Sequence, residues 1–401
     1  MKVGDILFGN NKCILFDSAI ILVNMKPSTN YSKPDIEIYA NSLARIGALS
    51  NLFSESVTPF IHYRATEYLY SRSMNADNLS RSDIAIDAKL GKIGVGIKTF
   101  VYNNKPKYEK IAEFNKEVET FDQLEPLEKI IRVAGLRNDR IDFAGRLAGV
   151  DTFIYHCIAR LPGKVIVFEQ EMPRININAI EVTLIKGRNI SFKDGKNNYR
   201  FNSSKSTLFK EFFNDNTIFE KSIIIYEDPF TFLNTLDLNE TATIVGMATP
   251  KSSNNIDDNY VVLPLYGRDG QVFERSGLNQ WNARGRIRDL NEVYIPNPVE
   301  AQRKRPNFFP PRDTPFTLHF PDGNQMTVKI CQEGNKALMS SRNAELGEWL
   351  LRDVLQLKEG TLVTRELLDR IGIDAIKITK QNGRYSIDFK HLGAYEEFLE
   401  N

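Results

Sequence analysis

Three residues in the stretch RSDIAIDAKLGKIGVGIKTF (81–100) have types and spacing suited to chemistry: Asp83, Asp87 and Lys98. DIAIDA alternates, KLGK is turn-like, and IGVGIKTF is a second short β segment, so the stretch is expected to form a hairpin. Side chains four apart on a strand share a face, which puts Asp83 and Asp87 on one side and Ile84 and Ile86 on the other. Two carboxylates and a lysine converging at strand ends suit magnesium-assisted phosphodiester hydrolysis. Hard carboxylate oxygens hold Mg²⁺, the cation offsets phosphate charge, and the lysine orients or activates water. The plain alternative is a solvated hairpin in which Lys98 makes a surface ion pair worth little. The apolar residues around Lys98 in GVGIKTF favour a lysine at the mouth of a buried strand.

A second constellation lies further on. Between Trp281 and Arg312 stand Arg284, Arg286, Arg288, Arg303, Lys304, Arg305 and Arg312 against only Asp289, Glu292 and Glu300. This local excess is set in a chain with 52 basic and 51 acidic residues, net +1. A globally basic nucleic-acid binder is therefore excluded, and any such surface must be local. Asn279, Gln280, Trp281, Asn282, Asn291 and Tyr294 accompany the arginines. Arginine forks fit guanine O6/N7 or phosphate, and Asn or Gln pairs with adenine, so the mixture suits a major-groove surface. A second polar patch, GNKALMSSRNAELG (334–347), supplies Lys336, Ser340, Ser341, Arg342 and Asn343 just before an apolar helix. Two polar arms separated by a strand pair would pinch one groove. A solvated arginine loop is the bland alternative.

Two further segments are ambiguous. HYRATEYLYSRS (62–73) either faces phosphates or is an amphipathic helix burying Tyr68 and Leu69. FNSSKSTLFKEFF (201–213) offers hydroxyls and Lys205 to phosphate, or is a capped helix burying Leu208, Phe209 and Phe212.

The elements that position these residues fall into blocks. At 401 residues the chain is too long for one ordinary core. Residues 1–160 mix helices with a few strands. Residues 161–250 are β-rich: KVIVFEQEM (164–172), AIEVTLIKG (179–187), NISFKDGKNNYRFN (189–202, a hairpin about DGKNN) and KSIIIYED (221–228). KSSNNIDDN (251–259) is the linker candidate. Beyond it come strands VVLPLY (261–266), TPFTLHF (314–320) and QMTVKIC (325–331). A helix near 343–357 follows, capped by Asn343, with Leu346, Trp349, Leu350, Val354 and Leu357 at helical spacing. The division is 1–250, a linker at 251–259, and 260–401.

Other chemistries lack their signatures. There is no Walker loop, HExxH or GxSxG, and Gly94 and Gly96 lack the third glycine of a dinucleotide fingerprint. His62, His156, His319 and His391 are scattered and none begins HxK. Cys13, Cys157 and Cys331 lie far apart, which favours a reducing compartment over disulfides or structural zinc. The longest apolar runs fall short of a bilayer span, and MKVGDILFGNNKC has no signal-peptide character. The expected location is cytoplasmic, with no membrane partner.

The first constellation resembles the PD-(D/E)-x-K nuclease core of many restriction endonucleases. Ser82-Asp83 stands where Pro-Asp would be, and Gly96-Ile97-Lys98 where the acid, x and lysine would be. Gly96 carries no carboxylate, so the resemblance implies that the second metal ligand comes from Asp87, from Glu67 in the helix TEYLYSR (66–72), or from Glu113 in the helix-like YEKIAEFNKEVE (108–119). Glu67 and Asp87 rank ahead of Glu113. LNQWNARGRIRDLNEVYIPNP (278–298), with the strand pair and GEWLLRDVL (347–355), is similar to the C-terminal domain of NgoFVII-type restriction enzymes. Those domains share a pseudobarrel with the effector domains of BfiI and EcoRII and with plant B-three-type transcription factors. The likeness spans about 265–390. It implies two DNA-gripping arms, Gln280 to Arg288 and Lys336 to Asn343. Asn282, Arg284, Arg286, Ser341, Arg342 and Asn343 would contact bases or phosphate, Glu292 and Tyr294 would support the first arm, and Trp281 and Trp349 would be core. NgoFVII-type enzymes pair this domain with a phospholipase-D-type nuclease, whose HxK is missing here, so their mechanism does not transfer.

The expected architecture is α+β in two modules: an N-terminal mixed α/β restriction-endonuclease-like nuclease and a C-terminal seven-stranded β pseudobarrel with short helices. The function this implies is that of a Type II restriction endonuclease with Mg²⁺ as cofactor and double-stranded DNA as substrate. It would act as a homodimer on DNA, beside a methyltransferase that modifies the same site without stable binding. A non-catalytic DNA-binding regulator with an N-terminal dimerisation module is the alternative. An RNA-binding protein is weaker, because arms shaped for a B-form major groove do not fit the narrow A-form one.

Overall fold

The computed structural model describes residues 31–80, 83–234 and 259–400. The expectations for MKVGDILFGNNKC, Cys13, Ser82 and nearly all of the 251–259 linker lie outside these residues. The described chain divides into two compact units: 31–80, 86–113 and 150–234 form the first, and 83–85, 114–149 and 259–400 the second.

In the first unit, helix α1 (Lys33–Ala48) starts at Ser32, whose hydroxyl accepts from the Asp35 N–H at 3.2 Å, and buries Ile36, Tyr39, Ala40 and Leu43. Helix α2 (Tyr63–Ser73) buries Thr66, Glu67 and Tyr70 and leaves Tyr68 exposed, so the buried face is not the one the apolar residues suggested. The sheet on which these helices pack has six strands, β1 (Asp77–Asn78), β2 (Ala88–Leu90), β3 (Ile93–Val101), β5 (Thr152–Leu161), β6 (Lys164–Glu171) and β11 (Thr217–Ser222), in that spatial order. β2 and β3 are an antiparallel hairpin, and β3 runs parallel to β5. Central strands β5 and β6 are near-continuous buried runs, as expected of strands covered on both faces.

A second sheet in this unit orders β4 (Lys107–Glu113), β10 (Thr207–Phe212), β9 (Asn198–Asn202), β8 (Asn189–Lys193) and β7 (Glu181–Lys186). The hairpin about DGKNN forms as expected. The Asp194 carboxylate accepts from the Asn197 and Lys196 N–H groups at 2.7 and 3.2 Å, and Gly195 takes φ +87°. Two expected helices are strands. YEKIAE lies in β4, and TLFKEF is β10, where Leu208, Lys210 and Phe212 alternate inward. Its period is two, and pairing with β9 and β4 overrides the capping signal in Ser203–Lys205. The strand expected at 221–228 ends at Ser222, and Ile224 is exposed.

The second unit is built on a seven-stranded sheet ordered β12 (Tyr260–Pro264), β17 (Ile373–Gln381), β18 (Arg384–His391), β14 (Phe316–His319), β15 (Gln325–Cys331), β16 (Ala337–Ser340) and β13 (Ile295–Pro296). Every pair is antiparallel except β14 with β18. The terminal strands β12 and β13 approach one another, so the sheet nearly closes as a barrel. Its core holds Leu318, Val328, Ile330, Leu338, Ile376 and Phe389. Helix α3 (Pro126–Ala148), stopped by Gly149 at φ +64°, adds Phe143 and Leu147 to that core. The apolar helix after β16 spans Glu345–Gly347 and continues as a π-helical turn over Glu348–Val354. Asn343 does not cap it; the Ser340 hydroxyl accepts from the Leu346 N–H at 3.1 Å instead. Among the described residues no helix is long and apolar enough to cross a membrane.

Candidate functional site

The first cluster forms where α2 lies against the β2–β3 hairpin. Asp87 directly precedes β2. Its N–H donates to the Val95 carbonyl at 2.8 Å, and its carboxylate accepts from the Ile97 N–H at 2.7 Å. Burial pushes the Asp87 carboxyl above its usual range, offset in part by the Lys98 ammonium. Glu67 on α2 is 6% exposed and accepts from Arg64 Nη1 at 3.1 Å. Its carboxyl is also raised, first by burial and then by the negative charge of Asp87. Lys98, on β3, stands with its ammonium 5.9 Å from the Tyr155 ring centre. Asp87 thus links the group electrostatically, acting on Glu67 and being acted on by Lys98 and Arg64.

Asp83 is placed otherwise. Residues 83–87 are not a strand, so the expected shared face with Asp87 does not form. Asp83 belongs to the second unit, where its carboxylate accepts from Lys390 Nζ at 2.9 Å and lies 3.2 Å from His391 Nδ1. Glu113, at the end of β4, pairs with Lys110 at 2.9 Å.

The glycine in place of the motif's acid has a physical cause. A Cβ at Gly96 would lie 2.5 Å from Met172 Cε and 3.2 Å from the Tyr155 ring, so any larger side chain there requires Met172 to move and Tyr155 to give. Two carboxylates suit Mg²⁺, which keeps several waters and takes one or two carboxylates plus substrate phosphate. Among the described residues no group of three or more His, Cys, Asp and Glu side chains is placed to hold a metal ion.

The second cluster is on the barrel. The pairing Ile295↔Leu338 and Pro296↔Ala337 ties β13 to β16. Just before β13, the foot of the first arm packs on the helix that follows β16, where Arg352 donates to Asn291. The contact is close: a Cβ at Gly347 would overlap the Asn291 carbonyl oxygen.

The first arm is braced from within. Arg288 Nη1 donates to the carbonyl oxygens of Ala283, Arg284 and Arg286 at 2.7, 3.2 and 3.3 Å. Glu292, 2% exposed, accepts from Arg286 and lies 3.5 Å from Arg288 Nε. Arg352, which the sequence reading passed over, anchors the foot through Asn291 Oδ1 at 2.7 Å and the Leu290 carbonyl at 2.8 Å. Asn279 is wholly buried and staples Val363, donating to its carbonyl and accepting its N–H, both at 2.9 Å. Gln280 is half-buried in the turn Gly277–Asn282, and Asn282 donates to the Glu274 carbonyl at 2.9 Å. Arg284 is exposed and has no hydrogen bond or ion pair from its side chain among the described residues.

On the second arm Ser341, Arg342 and Asn343 are exposed, and Arg342 makes only a 3.4 Å pair with Glu345. Lys336 is exposed just before β16, and Ser340 is buried as a helix cap. A groove of about 620 Å³ runs beside this arm, with Gln325, Thr327, Ser341 and Arg342 along it and Trp349 among its lining. Trp349 packs at 4.1 Å on Phe320, and Trp281 lies against the core, so neither indole is a free stacking platform.

Residues 253–382 match the family model of the NgoFVII C-terminal B3-like DNA-binding domain. Comparison with the curated proteins finds no match for the chain. The two arms and six of the seven strands of the nearly closed sheet lie within the matched segment, and β18 follows directly after it. The second unit therefore contains a segment similar to a restriction-enzyme DNA-binding domain, a likeness that implies DNA as a partner.

Proposed function

We propose that the protein is a Type II restriction endonuclease: its barrel domain selects a short duplex sequence, and its first unit hydrolyses a phosphodiester bond. The observation that carries the catalytic half is the convergence of Glu67, Asp87 and Lys98 at a helix and an antiparallel hairpin whose second strand runs parallel to the next. Burial raises both carboxyls, and the negative charge of Asp87 raises Glu67 further, which is an arrangement that invites a cation. Mg²⁺ held by Glu67 and Asp87 would supply Lewis acidity, offsetting phosphate charge and polarising water. Lys98 positions the attacking water and steadies charge developing on the phosphate. Arg64 holds Glu67 in place from the α2 side. The products are a 5′-phosphate and a 3′-hydroxyl. Cutting both strands calls for two such sites, so the acting form on DNA is a homodimer.

Asp83 takes no part in this mechanism, because Lys390 and His391 already engage its carboxylate. The test is substitution. Glu67→Gln, Asp87→Asn and Lys98→Ala should each lower the cleavage rate by about 10²–10⁴-fold, the range for loss of one positioned catalytic group. Gel shifts on duplex DNA should stay unchanged. Cleavage surviving in all three variants would remove the proposed site, and a chain that binds one sequence but never cuts would be a regulator.

A further inference from the structure

The tip of the first arm holds a side chain that arginine chemistry does not explain. Ile287 is 98% exposed, the most exposed large apolar side chain among the described residues. Single exposed apolar residues are ordinary on protein surfaces. This one sits in a segment fixed from both sides. Arg288 donates to three carbonyls around it, Arg286 is held by buried Glu292, and Gly285 at φ +105° makes the turn only glycine adopts freely. Its χ1 is stiff because the side chain is β-branched. The loop thus presents a rigid apolar knob between Arg286 and Arg288, close along the chain to the exposed Arg284.

Those neighbours select the partner. The loop lies within the segment similar to a DNA-binding domain, and a DNA major groove offers phosphates and guanine edges to arginine. The apolar group displayed in the major groove is the thymine C5-methyl.

We infer that Ile287 is a specificity-determining residue that packs against a thymine methyl in the recognised sequence. This inference rests on the DNA-reading role of the barrel domain.

The experiment uses the full chain without divalent cation, so that binding is read without cleavage. Duplexes enriched by the protein from a random library are resynthesised with deoxyuridine replacing thymidine at one position at a time, and affinity is measured by fluorescence anisotropy. One replacement should weaken binding about fourfold, the worth of one buried methyl-sized group. Ile287→Ala should weaken binding to the all-thymine duplex similarly and abolish the difference at that same position. Ile287→Val should retain most of it. Because the side chain lies in solvent, neither substitution should disturb folding, which circular dichroism checks.

An enriched sequence without a T·A pair would overturn the inference, as would a deoxyuridine effect that persists in Ile287→Ala. Equal loss on thymine and deoxyuridine duplexes would instead mark Ile287 as a wedge between base steps and also overturn it. If no sequence is enriched at all, the DNA-reading assignment itself fails, which is a distinct outcome.

Discussion

The arginines of the first arm do different work although their side chains are alike. Arg288 ties its own loop together, Arg286 is shared with a buried carboxylate, and Arg284 points to solvent with its fork unspent. Arg284→Ala should therefore weaken specific binding by about 1–3 kcal/mol and relax the preference at one base pair. Equal loss on random duplex would make it a phosphate contact. Arg288→Ala should act through the fold: carbonyls losing their donor cost about 1 kcal/mol or more, read as a lower melting temperature that Arg284→Ala does not share. Glu67 offers a converse case. Its ionised form is disfavoured by burial and by Asp87, so Glu67→Gln should raise the melting temperature while it stops cleavage. A variant that loses both stability and cleavage would make Glu67 a structural residue.

Elements decide where such residues stand, and glycines at two of them are constrained by space. Gly96→Glu restores the acid of the nuclease motif on paper, yet its side chain must displace Met172 and Tyr155. The expected result is a loss of about 1–3 kcal/mol in urea unfolding and no rescue of cleavage in Glu67→Gln. Gly347→Ala drives a methyl into the Asn291 backbone and should loosen both arms together, weakening binding to every sequence. At this scale the sequence was partly legible. Strand β3, α2, the DGKNN turn and the strand pair between the arms follow from period, turn chemistry and apolar runs, whereas the strand expected over DIAIDA does not form and β2 begins only at Ala88. TLFKEF reads as a helix because serines and Lys205 precede it, and only its pairing with distant strands makes it β10. The position of Asp83 was not legible either, because its partners Lys390 and His391 lie 307 and 308 residues along the chain. The bracing of Arg288 was hidden for a related reason: a guanidinium that binds its own backbone has the same composition as one that binds DNA.

For the molecule as a whole, the near-zero net charge is informative. With no basic field over the chain, affinity must come from the arms, and each phosphate contact removed should lower the slope of log affinity against log salt by about one. Each unit has its own buried core, which fits a division between reading and cutting. The region 253–382 bears the readable likeness, whereas the acids and lysine of the first unit are recognisable only once folded together. Digesting a sequenced plasmid with purified protein and Mg²⁺, then sequencing the ends, tests this division most directly. The expected ends all lie at a fixed offset from one short sequence and are lost with EDTA and with Lys98→Ala. Intact plasmid, or ends scattered without sequence preference, would contradict it.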